Sequence, residues 1–132
     1  MSDATTAVAA HKAAIRAFAD ARGWEPYHSP KNLVMALASE VGELCDVFRW
    51  LTPDESRAAA NDPRLREAIA DELADVANIV LLLSAHTGID LSDAIRAKLV
   101  RTRSSTRLRG RRVGPGGRFM GQVLTLGGND RA

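Results

Sequence analysis

The sequence predicts an all-α fold, a four-helix bundle, and three observations carry that expectation. Apolar residues recur at i, i+3 and i+4 through the first hundred positions, with no convincing strand-like alternation. The pairs Ser29-Pro30, Thr52-Pro53 and Asp62-Pro63 each read as an N-cap followed by proline at the first helical position. Gly23 and Gly88 stand where two periodic segments stop, as glycine commonly does after a last helical turn.

The first helix is expected over about residues 4–22, with Ala14, Ile15, Phe18 and Ala21 on one face. The loop WEPYHSP follows, holding two prolines and three ring side chains. Ser29-Pro30 starts a second helix reaching about Leu51, its apolar stripe running through Leu33, Leu37, Val41, Leu44, Val47, Phe48 and Leu51. Thr52 and Glu55 form a capping box for a short connecting helix. Asp62-Pro63 starts the next long helix, through Leu65, Ile69, Leu73, Val76, Val80 and Leu83, and Gly88 closes it. Asp90 caps the last helix, with Asp93 in its first turn and Ala94, Ile95 and Leu99 beyond. These helices are rich in alanine and poor in aromatic bulk, so a second copy of the chain is expected to help bury their faces.

The 132 residues suit one domain, and 45% apolar with 26% charged content is a globular mix that excludes wholesale disorder. No apolar run approaches the roughly 18 residues of a membrane span. The first residues lack a signal peptide's basic start and compact apolar stretch, and Cys45 is the one cysteine, so a cytoplasmic, reducing setting is expected. Cys45 itself falls in an apolar helix segment and reads as packing. The net charge of +2 hides an asymmetry: residues 1–100 carry ten basic against fifteen acidic residues, and residues 101–132 eight against one. The domain is therefore expected to span residues 1–101. Residues 102–132, with seven of the ten glycines, read as a basic, poorly ordered tail in which QVLTL is a marginal strand. RLRGRR and GGRF faintly resemble Arg/Gly-rich RNA-binding segments, the only feature that favours a nucleic-acid partner.

The chemistry-bearing pattern is a carboxylate quartet. Glu40 and Glu43 lie three apart in ASEVGEL, and Glu72 and Asp75 three apart in ADELAD, so each pair shares one helix face beside an apolar stripe. A single acidic pair at this spacing is usually solvated helix surface. Two pairs bordering core stripes converge if their helices pack side by side. Buried like charges then need compensation, and an all-oxygen ligand set suits a hard divalent cation, Mg²⁺ or Mn²⁺. A di-iron carboxylate bundle is the structural rival. It needs helical Glu-x-x-His motifs in pairs, which His11, His28 and His86 do not supply.

Glu40-x-x-Glu43, a 28-residue spacer and Glu72-x-x-Asp75 resemble the all-α nucleoside triphosphate pyrophosphohydrolases, the MazG-like superfamily. ARGWEPYHSPKNLVMALASEVGELCDVFRWL followed by ADELADVANIVLLL looks most like the dCTP pyrophosphatase branch, over about residues 12–101. The resemblance implies Mg²⁺-dependent hydrolysis of a (deoxy)nucleoside triphosphate to monophosphate and pyrophosphate, which clears the nucleotide pool of excess or modified triphosphates. It implies Glu40, Glu43, Glu72 and Asp75 as metal-binding catalytic residues, Trp24 and Trp50 as base-pocket aromatics, and Lys98 as a phosphate-side lysine. His28, Lys31 and Asn32 match further substrate-side positions, and Asn78, one turn past Asp75, lies on the quartet's side. A homo-oligomer, tetramer or dimer, is implied as well.

The match fails after Lys98. The family's helix carries asparagine four residues on and then a Tyr-Pro pair, where this chain has Thr102 and Thr106-Arg107. One explanation is a one-base shift in reading frame; the other is a genuine basic tail. If Arg101 ends in A and residues 102–109 are coded ACG CGC AGC AGT ACC CGG CTG CGG, entry one base earlier gives Asn-Ala-Gln-Gln-Tyr-Pro-Ala-Ala. A coding sequence that cannot be reread this way would refute that account. The missing groups leave a nucleotide-binding module without turnover as the alternative function.

Overall fold

The computed structural model describes residues 6–108. It is helical throughout, with no strand among the described residues: α1 (Val8–Asp20), α2 (Pro30–Phe48), α3 (Pro53–Ala58), α4 (Pro63–Thr87) and α5 (Leu91–Leu108), plus 3-10 turns at Glu25–Tyr27 and Ala59–Asn61. No described helix is long and apolar enough to cross a membrane. Two compact units divide at Leu91 and Ser92.

In the first unit, α2 and α1 both pack against α4, so α4 is the shared wall. The local rules that start each helix are visible. Ser29 Oγ accepts the Asn32 N–H at 3.2 Å. Thr52 and Glu55 complete a reciprocal capping box. Asp62 accepts the Arg64 N–H at 2.8 Å and the Leu65 N–H at 3.5 Å at the start of the 25-residue α4. Each cap satisfies helix-end donors that otherwise lack an intrahelical partner. Gly88 ends α4 at φ 67°, a left-handed conformation that favours glycine. The buried Ser84 hydroxyl donates to the Ile89 carbonyl at 2.6 Å and holds the chain leaving α4.

The buried core is small. Ala19, Leu33 and Leu82 join α1, α2 and α4, with Ile15, Ile79 and Leu83 packed against them, and Ala59 is buried in the 3-10 turn that meets α4. Val41 and Leu73, expected on the core-facing stripes, are exposed, as are Val34 and Met35. The apolar arcs of α2 and α4 are wider than the contact these helices make within one chain. Cys45 is likewise exposed, because one helical step, about 100°, carries it round from Leu44 toward solvent.

The second unit, taken by itself, contains most of α5, with Asp93 in its first turn and an Asp93–Arg96 ion pair of 3.3 Å. The helix runs seven residues past the boundary expected at 101, since no glycine or proline interrupts the chain between Gly88 and Gly110. Residues 102–108, expected as the start of the basic tail, continue this helix. QVLTL, GGRF and the latter part of RLRGRR fall among residues 109–132, outside the described residues.

Candidate active site

The side-by-side packing of α2 and α4 brings the acidic pairs together. Carboxylate oxygens of Glu40, Glu43 and Glu72 all lie within 4.8 Å of one another. Glu40 and Glu72 are half-buried, while Glu43 and Asp75 are exposed. Glu72 Oε2 is buried with no hydrogen-bond partner. Partial burial raises the Glu40 carboxyl above its ordinary value of 4.5, and Glu43 and Asp75 push it further. Glu72 is raised in the same way, first by burial and then by Glu43, Asp75, Glu40 and Asp71. Asp75 is thus electrostatically part of the cluster. An orphaned buried carboxylate oxygen within a converging oxygen set fits a hard divalent cation, which would neutralise the repulsion and occupy the idle lone pairs.

The cluster opens onto a cavity of about 740 Å³, with Glu40 and Asp75 at one end. From α2 the walls are Ala36, Leu33 and Asn32, and from α4 they are Asn78, Ile79 and Leu82. From α1 and the loop after it come His11, Ala14, Ile15, Phe18, Ala19, Trp24, Tyr27 and His28. Ring contacts run in series along one side. Phe18 meets Trp24 edge to face with centroids 5.8 Å apart, Trp24 meets His28 at 6.0 Å, and His28 meets His86 at 6.0 Å. The Arg22 guanidinium covers Phe18 at 3.4 Å from its centroid, adding cation–π attraction to the wall. His28 Nδ1 is buried and lacks a partner, so this mostly apolar cavity holds one idle polar atom ready for a ligand.

Among the residues singled out in the sequence, Glu40, Asp75, Trp24, His28, Asn32 and Asn78 line this cavity, and Glu43 and Glu72 adjoin Glu40. Lys31 is exposed in the first turn of α2 and does not line it. Neither does Trp50, which lies beyond the end of α2, 84% exposed, with the Arg49 guanidinium 5.2 Å from its ring centroid. Lys98 belongs to the second unit, on α5, where its carbonyl accepts the Thr102 hydroxyl at 3.0 Å. The one Glu-x-x-His spacing, Glu25 to His28, spans a 3-10 turn and not a helix, so it offers no di-iron motif. His11 and His86 escaped sequence reasoning. His11 had a signal, since it precedes Ile15 and Phe18 by four and seven residues and continues their stripe.

The chain is 42% identical to dCTP pyrophosphatase 1 of Homo sapiens and 40% identical to that of Bos taurus, in each case over 82 residues, 62% of this chain and 48% of the relative. It spans about half the length of these curated relatives. A solved pyrophosphatase from Archaeoglobus fulgidus superimposes with a TM-score of 0.64 at 33% identity, covering 69% of this chain and 83% of that one. The chain belongs to the all-α, MazG-like pyrophosphatase family. No protein-family model matches it.

Proposed function

We propose that the chain hydrolyses a (deoxy)nucleoside triphosphate, dCTP or a modified dCTP, between its α and β phosphates in a cytoplasmic nucleotide pool. The observation that carries this reading is the continuity of the Glu40, Glu43 and Glu72 cluster, to which Asp75 is electrostatically coupled, with an aromatic-walled cavity. Ala36 and Asn32 lie four and eight residues from Glu40, about 6 and 12 Å along the helix axis. Asn78 and Leu82 lie three and seven residues from Asp75, about 4.5 and 10.5 Å along theirs. Phosphates held at the carboxylate end therefore leave a sugar at the level of Ala36 and Asn78 and a base at the level of Leu33, Leu82, Trp24 and His28.

Glu40, Glu43, Glu72 and Asp75 are the residues that would hold divalent cations, with Mg²⁺ the best fit to oxygen-only ligands. A bound cation supplies charge neutralisation and polarises the reacting phosphorus and water. A carboxylate of the cluster orients the attacking water and accepts its proton. The water oxygen forms a bond to the α-phosphorus, the bond from that phosphorus to the bridging oxygen breaks, and pyrophosphate leaves. The apolar cavity excludes water from the base, Trp24 offers it a ring, and His28 Nδ1 and the Asn78 amide offer polar contacts. Lys98 is the phosphate-side cation and Trp50 a second base-side aromatic by family resemblance, with Lys31 on the substrate side.

The chain acts as a homo-oligomer, a dimer or tetramer. Val34, Met35, Val41 and Leu73 are exposed apolar side chains on the two helices that carry the site, surface that a second copy would cover.

The test is pyrophosphate release from a panel of deoxynucleoside triphosphates with Mg²⁺, comparing this chain with Glu43→Gln. Turnover that ranks dCTP first and disappears in the variant is expected. Triphosphate binding without pyrophosphate release would favour the non-catalytic module.

A further inference from the structure

The cavity's aromatic wall hangs on nine residues between α1 and α2. Gly23, at φ 65°, turns the chain out of α1, and the Trp24 N–H donates back to the Ala19 carbonyl at 3.1 Å. The 3-10 turn consumes the next two carbonyls: Trp24 accepts from the Tyr27 N–H at 2.9 Å and Glu25 from the His28 N–H at 3.1 Å. The Tyr27 carbonyl, between the two wall residues and beyond the turn's own bonding, takes its donor from elsewhere. That donor is the Asn32 side-chain amide, at 3.0 Å. Asn32 stands in the first turn of α2, where its own N–H is held by the Ser29 cap. Its amide nitrogen therefore ties the loop to a fixed helix end.

We infer that Asn32 is a positioning residue: its amide straps the Tyr27 carbonyl to the start of α2 and so sets where Trp24 and His28 stand in the cavity wall. The kinetic consequence rests on the proposed function, but the strap does not. Asn32 lines the cavity too, so direct contact between its amide and a base is the competing account. The two differ in what they predict. A displaced wall weakens binding of every base in ground and transition state alike, which raises KM and leaves kcat. A lost contact penalises only bases that used it.

Asn32→Asp keeps the side chain's size and replaces the donor with a carboxylate oxygen facing a carbonyl, while Asn32→Ala removes the group. Hydrogen exchange on the nucleotide-free chain reads the strap directly. The Tyr27 and His28 amides, which close the 3-10 turn, are expected to exchange at least tenfold faster in both variants, with α2 and α4 amides unchanged. With Mg²⁺ and the nucleotide panel, KM is expected to rise at least fivefold for every base with kcat within twofold. Unchanged exchange at residues 27 and 28, or a KM effect confined to some bases, would overturn the inference. So would loss of protection throughout α2 and α4 in both variants, since the amide would then hold the fold and not the wall. If the parent chain shows no turnover, the proposed function fails and the exchange measurement alone decides the strap.

Discussion

Leu33→Ala tests how the core and the cavity share one side chain. Leu33 is 3% exposed and packs with Ala19 and Leu82, yet it also forms part of the cavity floor. The substitution removes three carbons, and at about 0.8 kcal/mol for each buried methylene the transfer loss is about 2.4 kcal/mol. A closed core adds a further penalty for the void left behind, which carries Leu→Ala losses up to about 5 kcal/mol. Here the vacated volume merges with a cavity of about 740 Å³ that already opens to solvent, so little new enclosed void forms. The expected loss is therefore about 2–3 kcal/mol, near the bottom of the range for this substitution. Urea unfolding followed by circular dichroism at 222 nm measures it, with an unchanged slope showing that the same surface unfolds. Leu33→Met, close in volume, is expected to cost less than about 1.5 kcal/mol. A loss of 4 kcal/mol or more for Leu33→Ala would refute the shared-floor reasoning, because it would require a closed void.

Two other perturbations have defined signs. Glu40 and Glu72 bind protons more tightly in the folded chain than their ordinary value of 4.5 allows. Their contribution to stability is thus fully present below about pH 4.5 and is lost as pH rises through the raised folded values. In EDTA, Glu72→Gln is expected to melt higher than the parent at pH 7, and the difference should shrink toward pH 4. Mg²⁺ should raise the parent's melting temperature more than the variant's, and equal gains in thermal scans would contradict a cation site. Gly88→Ala should cost about 1–2 kcal/mol from its left-handed backbone alone, since a Cβ there meets nothing within 4 Å. A neutral result in thermal melts would show that α4 ends differently in solution.

The elements that local chemistry dictates were legible in the sequence. Ser29, Thr52 and Asp62 cap helices where the text places them, because a cap and its proline are read within four residues. The meeting of Glu40, Glu43 and Glu72 was legible for the same kind of reason, since spacing i, i+3 fixes a shared face before any tertiary contact exists. The cavity was less so. His86 enters the aromatic series only through His28, which lies 58 positions earlier in the chain, and periodicity carries no information about such a meeting. Val41 and Leu73 show the opposite failure: periodicity placed them on core-facing stripes, yet both are exposed, because what covers a stripe is decided by neighbours that the pattern does not name. The last helix continues beyond the change in composition at residue 101, because composition alone does not stop a helix and no glycine or proline occurs before Gly110.

The placement of the carboxylates and the cavity on one antiparallel pair has a consequence for how this gene tolerates change in length. On α4, Asp75, Asn78 and Leu82 share a side only because three- and four-residue steps nearly complete whole turns. One inserted residue between Asp75 and Asn78 would rotate everything after it by about 100° and carry Asn78, Ile79 and Leu82 off the cavity without altering a single functional side chain. The same insertion between Trp50 and Asn61 would fall among short turns and the six-residue α3, outside the cavity lining. Insertions and deletions should therefore be purged from residues 33–40 and 72–82 and accumulate around α3, a pattern of length variation that point substitutions would never reveal.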